Sequence, residues 1–200
     1  KYIAGEKTKE ALYRENGCVF RLNVDDVYFS SRLSNERKEI AKKVKNGDKV
    51  LVMFAGAAPY PIVIARDSRA KVVYSNEINR EANKYAEINI GLNKVKGRVV
   101  LLPGDIKRVA RKIKEKFDVI VMPRPQLKDM FLREAFSLSK KGTRIYYYDF
   151  CKEDEIKGIV NKIKSEALKS KKKIKILKIK KAGEIAPYRF RIRVDFEVLN

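Results

Sequence analysis

Histidine and tryptophan are absent from this 200-residue chain, glutamine occurs once, at Gln126, and cysteine only twice, at Cys18 and Cys151. Without histidine there is no imidazole general base, no His-containing triad and no His metal site. Two cysteines cannot supply the ligand set of a structural zinc, so no metal is expected. Both are read as small inert hydrophobes in a reducing, cytoplasmic setting without disulfides. Long apolar runs are lacking too: the longest are strand-sized, too short for a membrane span or a secretory signal core.

Acidic residues are the other shortage. There are 25 Asp and Glu against 47 Lys and Arg, a formal charge of +22. A positive excess of this size concentrates polyanions around the chain, and nucleic acid is the natural partner. The abundance of Lys, Glu and Ile fits a thermophilic composition, but that bias enriches both signs together and leaves the excess unexplained. Hydrophobic residues make up 44%, enough for the core of one ordinary domain with a small appendage. The chain begins at Lys1 without a Met and is expected to be a piece of something longer. A monomer is expected.

Residues 1–33 read as a small β-rich segment, expected to be the end of a truncated N-terminal region. Residues 34–200 read as the main domain. Apolar residues at 18, 20, 22 and 24 alternate with the period of a half-buried strand, bracketed by Gly17 and Asp25-Asp26. Ser34 is placed as the cap of a helix reaching about Lys45. Five strand–turn–helix units follow, with strands at 49–54, 71–75, 99–102, 117–122 and 143–150. Their helices are expected at 62–66, 80–92, 106–116, 127–138 and 153–168. Two alternating strands, 173–180 and 188–198, close the chain. In the last, Phe190, Ile192, Val194, Phe196 and Val198 share one face, and Arg189, Arg191, Arg193, Asp195 and Glu197 the other. The implied fold is α/β: a doubly wound, mostly parallel seven-stranded sheet with an antiparallel C-terminal hairpin. Its site is expected at the carboxyl ends of the early strands.

Those strand ends carry chemistry. Phe54-Ala55-Gly56-Ala57-Ala58-Pro59 puts small residues where backbone must approach a ligand, yet it is neither a GxGxxG fingerprint nor a P-loop. Glu77 ends the second strand where an acid can hydrogen-bond a ribose. Asp105 ends the third, where it can accept from an adenine amino group. A ligand loop without phosphate-binding features, followed by two acids, suits S-adenosyl-L-methionine better than a dinucleotide.

Tyr28-Phe29-Ser30-Ser31-Arg32-Leu33-Ser34-Asn35-Glu36-Arg37, Met53-Phe54-Ala55-Gly56, Glu77-Ile78-Asn79 and Gly104-Asp105 resemble the archaeal and eukaryotic tRNA guanine-N1 methyltransferases. Those enzymes modify the guanine 3′ of the anticodon, position 37. The resemblance runs from Tyr13-Arg14-Glu15-Asn16-Gly17 to Ala186-Pro187-Tyr188, nearly the whole chain. Family members usually carry a further N-terminal tRNA-binding domain. The resemblance implies that Glu36 is the general base and that Arg37 and Tyr28 lie beside the methyl donor. It implies a cofactor site over Phe54 to Pro59, Glu77, Ile78, Asp105 and Ile106, bounded by Met122 and Pro123. Guanine N1 holds its proton at neutral pH, so alkylation there needs a base for the proton and a donor for charge gathering on O6. The acceptor base is expected to be extruded from its stack.

Three positions depart from the family pattern. Pro123-Arg124-Pro125 stands where the family has Asn-Leu-Pro, Val52 where it has an Asp, and Ala57-Ala58 where it has a glycine-rich turn. Arg124 or Arg32 is the expected replacement for the lost amide donor. A related branch transfers an aminocarboxypropyl group during wybutosine synthesis and also lacks that Asn. A tRNA-binding relative without catalysis is a third reading.

Residues 169–181 hold eight Lys in thirteen positions, read either as a solvated strand edge or as a phosphate-contacting rim. Lys172 and Lys173, with Arg189 and Arg191 on the next strand, are the expected RNA contacts. Arg108, Arg111, Lys112, Lys114 and Lys116 form a second basic run. Tyr146-Tyr147-Tyr148 is read as core packing.

Overall fold

A computed structural model of the chain describes residues 7–124 and 126–200. Residues 1–6 of the N-terminal segment, and Pro125, lie outside the described residues. The chain opens with a hairpin, β1 (Glu10–Glu15) and β2 (Cys18–Asn23), turning through Asn16 and Gly17, both at positive φ. That pair is what a two-residue turn matching the strand twist requires. Cys18, Phe20 and Leu22 are buried as the alternation requires, whereas Val24 lies beyond the strand and is exposed.

A single 3-10 turn, Ser31–Leu33, leads directly into α1 (Ser34–Lys43). Ser34 therefore does not cap the helix: its own backbone is helical, Leu33 is the cap residue, and the Ser34 hydroxyl instead accepts from Asn16 Nδ2 at 3.2 Å. The remaining elements are β3 (Lys49–Met53), α2 (Pro59–Asp67), β4 (Val72–Glu77), α3 (Arg80–Leu92), β5 (Val99–Pro103), α4 (Ile106–Lys112), β6 (Phe117–Met122), α5 (Leu132–Ser137), β7 (Ser139–Cys151), α6 (Ile156–Lys169), β8 (Ile174–Ala186) and β9 (Arg189–Val198).

α5 is much shorter than its sequence pattern. The Arg124 guanidinium takes the carbonyls of Leu127 and Asp129, and Asp129 Oδ1 accepts from the Phe131 amide at 2.8 Å. Groups that would propagate a helix are thereby spent on a loop, and the helix starts only after Phe131, at φ 53.

The seven-stranded sheet has the order β5-β4-β3-β6-β7-β9-β8; β3 to β7 pair in parallel, while β9 and β8 are antiparallel additions at one edge. Alternation divides the core into two layers. Val50, Val52, Val119, Val121, Tyr146 and Tyr148 face α1, α2, α3 and the hairpin. Leu51, Met53, Ile120, Met122, Ile145 and Tyr147 face α4, α5 and α6. All three consecutive tyrosines are core residues. Cys18 and Cys151 are buried and free, and burial pushes both thiols up, Cys151 to about 11.

The hairpin shares the first of these cores and is fastened to α3 by two asparagines. Asn89 and Asn93 each accept an amide hydrogen bond from β2 and donate one back, at 2.7 to 3.1 Å. They act as the missing neighbour strand.

The polar face of β9 is exposed at Arg189 but closed over in its middle. Arg193 and Asp195 lie beneath α1 and are buried, in a cluster of three carboxylates (Glu36, Glu39, Asp195) and three cations (Arg193, Lys180, Lys43). Burial alone would raise Glu39, but hydrogen bonds from Arg193 and Lys180 outweigh it and hold that carboxyl down at about 2, against 4.5 for the free group. A carboxyl held below its unfolded value stabilises the fold above that value and loses its contribution as pH falls through the folded one. Denaturant midpoints are therefore expected to drop between about pH 4.5 and 2, and Glu39→Gln to flatten that drop. An unchanged slope in the variant removes Glu39 from the acid transition.

Candidate active site

The strand order reverses between β3 and β6, and at this switch point the carboxyl ends of the strands open a crevice. A cavity of about 670 Å³ fills it, within the usual range for small-molecule sites. Its floor is the loop after β3. Phe54, Gly56 and Ala58 adopt φ of 59, 57 and 64, left-handed values that only glycine takes freely. Two non-glycine residues held there mark a backbone kept in shape by its surroundings, as functional loops often are. A side chain at Gly56 would stand 3.6 Å from the Tyr28 carbonyl, so the N-terminal segment closes directly over the loop.

The acids are set as the strand-end reading requires. Glu77 accepts the amides of Gly56 and Asn79 at 2.8 Å each, one per oxygen. Those bonds orient a carboxylate whose remaining lone pairs face the cavity it lines. Asp105 caps α4 by accepting from the Lys107 amide at 2.9 Å through Oδ1, which leaves its second oxygen for a ligand. Neighbouring asparagines hold both loops. Asn76 Nδ2 donates to the carbonyls of Leu102 and Gly104, and Asn79 caps α3 while its amide reaches the Asp26 carbonyl. Polar side chains with spare acceptors on successive strand ends, over a close-approach loop, suit the ribose and adenine of an adenosyl group.

Tyr28, Arg37, Phe54, Ala55, Gly56, Pro59, Glu77, Ile78, Asp105, Ile106, Pro123, Arg124 and Arg191 all line the cavity. Ala57 and Met122 stand behind its wall in the core, and Val52 is buried beneath it. Arg37 is held by Glu15 in a buried ion pair, donates to the Ser30 carbonyl at 3.0 Å, and lies over the rings of Phe29 and Tyr60. Glu36 points away from the cavity, into the ion cluster. Its Oε2 accepts from Tyr148 Oη at 3.0 Å and Arg193 Nη1 at 2.5 Å, and Oε1 accepts from Lys180. Burial raises the Tyr60 hydroxyl to about 12 and holds Tyr148 well above its usual range.

Arg124 is buried against the cavity. One guanidinium nitrogen donates to Asp149 at 2.8 Å and another to the two loop carbonyls, leaving Nε without a hydrogen-bond partner among the described residues. Arg32 is exposed and lies outside the main cavity. Lys172 and Lys173 sit at the start of β8 near the C-terminus, where each bonds Asn200, and Arg189 lies at the far end of the same hairpin. The lysine-rich run is only partly free: Lys180 and Lys181 are paired with acids.

Several lining residues escape sequence reasoning: Gln126, Leu127 and Phe131 from the loop after β6, Phe150 from β7 and Ile185 from β8. Phe131, which the sequence pattern places inside a helix over 127–138, packs edge-on against Phe54 at 5.0 Å.

A seven-stranded sheet with this order, and a crevice at its switch point lined by Glu77 and Asp105, define an α/β domain of the class I methyltransferase type. Comparison with known proteins narrows the class: a family model described as the TRM5/TYW2 methyltransferase domain matches residues 11–177, and the chain belongs to that family. The tRNA (guanine(37)-N(1))-methyltransferase Trm5b of Pyrococcus abyssi is 38% identical over 198 residues, covering 98% of this chain and 58% of that protein. Its crystal structure superposes with a TM-score of 0.89 over 99% of this chain. The Nanoarchaeum equitans enzyme Taw22, a tRNA (guanine(37)-N(1))/4-demethylwyosine(37)-methyltransferase, is 34% identical over all of this chain and 82% of its own length. M. jannaschii TYW2, solved in complex with AdoMet, is 28% identical with a TM-score of 0.86, covering 99% of this chain and 90% of that one. The chain thus spans about three fifths of the length of its Trm5b relative.

Proposed function

We propose that this chain is the S-adenosyl-L-methionine-dependent catalytic domain of a tRNA methyltransferase, with guanine at position 37 as the acceptor. The observation that carries the reading is the pairing of Glu77 and Asp105 on adjacent strand ends. Each is oriented by backbone amides and keeps acceptor capacity toward one cavity of about 670 Å³. Glu77 would hold the ribose hydroxyls, Asp105 the adenine amino group, and Phe54 to Gly56 and Pro59 the close backbone contact. Ile78, Ile106 and Pro123 cover the apolar faces, Tyr28 closes the mouth, and the buried Arg37 stands beside the methyl donor. Bound there, the cofactor supplies an electrophilic methyl group on a positively charged sulfur.

The chain supplies the rest. Glu36 takes the N1 proton once its side chain turns out of the ion cluster toward the acceptor base, giving up Lys180, a third exposed, at Oε1. Arg124, through its unpartnered Nε, replaces the missing amide as donor to the acceptor base, with Arg32 as the alternative on the rim. Lys172, Lys173, Arg189 and Arg191 contact tRNA phosphate, and the formal charge of +22 draws the polyanion in. We place the activity in the cytoplasm and on a single copy of the chain. The segment at 1–33 is read as the end of a longer N-terminal region.

One observation favours a second reading, aminocarboxypropyl transfer. Pro123 offers the acceptor base no side-chain hydrogen bond, and the TYW2 relative shares the fold over nearly all of both chains. One experiment separates the readings: calorimetric titration with S-adenosyl-L-methionine, then addition of unfractionated tRNA and mass analysis of its nucleosides. Cofactor binding and a guanosine heavier by one methyl is the expected result, lost in Arg124→Ala. An aminocarboxypropyl mass selects the second reading. tRNA binding without cofactor binding overturns both and leaves an RNA-binding relative.

A further inference from the structure

Beside the main cavity, a groove of about 400 Å³ runs between residues 28–33 and the β8 stretch 182–185. Tyr28, Phe29, Ser30, Leu33, Ile185 and Arg191 border both spaces. Arg191 ties the partition between them together. Arg191 donates to the Tyr28 hydroxyl at 3.3 Å and lies over the Phe150 ring, 4.9 Å from its centroid. The Tyr28 ring, 75% exposed, serves no core. Flat aromatic and guanidinium surfaces left in water at a cavity mouth are what nucleobases stack on.

The two walls carry opposite charges that do not meet. Arg32 on one and Glu184 on the other are exposed, and neither side chain makes an ion pair or hydrogen bond among the described residues. β8 is irregular along this border, its register shifting at Lys181/Gly183 and again at Glu184/Ala186, with Gly183 at φ 145. Bulges of this kind re-aim side chains at sheet edges beside binding sites. A free guanidinium for phosphate, a free carboxylate to accept from a base amino group, and a tyrosine face between them together match one ribonucleotide.

We propose that this groove holds the nucleotide next to the acceptor in the RNA chain, so that Tyr28 and Arg191 separate two adjacent extruded nucleotides. The proposal rests on the reading of the main cavity as an RNA-modifying site. It adds a subsite that reads the acceptor's neighbour: Tyr28 stacks on its base, Glu184 accepts from its amino group, and Arg32 meets its phosphate.

The test uses anticodon stem-loop RNAs carrying 2-aminopurine immediately 5′ or 3′ of the target guanine, titrated with the full chain until binding saturates. One of the two probes is expected to lose about half its emission through stacking on Tyr28. Tyr28→Leu is expected to restore that emission while raising Kd about tenfold, and Glu184→Ala to restore part of it. Unaltered melting temperatures in both variants separate this effect from misfolding. No emission change at either probe, or a change that survives both variants, overturns the proposal. Methyl transfer to the guanine is read in the same tubes. A quench without transfer keeps the groove and removes the activity; transfer without a quench does the reverse.

Discussion

Replacing Arg193 by methionine is expected to lower the stability of this domain by about 3–5 kcal/mol, the cost of removing one partner from a buried ion cluster. Arg193 is fully buried and reaches all three acids, with Nη1 to Glu36 at 2.5 Å, Nη2 to Glu39 at 2.6 Å and Nε to Asp195 at 2.6 Å. Without it, Lys180 and Lys43 remain against three carboxylates, and Asp195 keeps only Lys43 at 3.4 Å. A chain of this size loses roughly 2–4 °C of melting temperature per kcal/mol, so calorimetric unfolding should show a fall of roughly 6–20 °C. A lysine substitution is no rescue, because one ammonium cannot span three acids as the forked guanidinium does. A loss below about 1 kcal/mol would mean that water replaces the guanidinium at little cost.

Glu36→Gln is expected to reduce methyl transfer by about 10²–10⁴, the usual contribution of a general base, with cofactor affinity nearly kept. The amide retains an acceptor for Tyr148 and Arg193 but cannot hold a proton taken from the acceptor base. Because Glu36 is also a member of the cluster, the rate must be read beside the stability of the variant at the assay temperature. Single-turnover rates with bound tRNA separate chemistry from binding. A retained rate in a folded variant would assign Glu36 to the ion cluster alone, and the proton would then need another acceptor.

These two experiments bear on residues that the linear pattern treats very differently. Glu36 stands in the stretch that carries the family resemblance, and its proposed role in chemistry rests on its neighbours in the chain. Its three-dimensional surroundings are not. Arg193 and Asp195 occupy the polar phase of a cleanly alternating strand, which ordinarily means water. They are buried because β9 enters the sheet between β7 and β8, and α1 lies across that face. A strand insertion of this kind has no local signature; it follows from which edge remains free after β7.

The sheet itself was legible for a plain reason. Each parallel strand is a short apolar run that must be covered on both faces, and each turn carries its own glycine, proline or capping residue. Alternation then assigned Tyr147 and its two neighbours to opposite cores without further information. The strand-end side of the crevice was readable because Glu77 and Asp105 sit at strand ends, where sequence position and spatial position coincide.

The opposite side was not readable, because it is assembled from distant segments. Phe150, Ile185 and Arg191 come from three strands, and Tyr28 closes over Gly56 from a segment preceding the first parallel strand. The loop after β6 shows the same limit. Its residues carry enough helical pattern to suggest a long helix, yet the buried Arg124 captures two of its carbonyls and makes it a wall of the site. Local propensity and periodicity are properties of a few consecutive residues, and they specified the strands, the turns and the cofactor loop. The partners of Glu36, the buried face of β9 and the groove beside Tyr28 depend on contacts between residues as many as 163 positions apart, and these exist only once the sheet has closed.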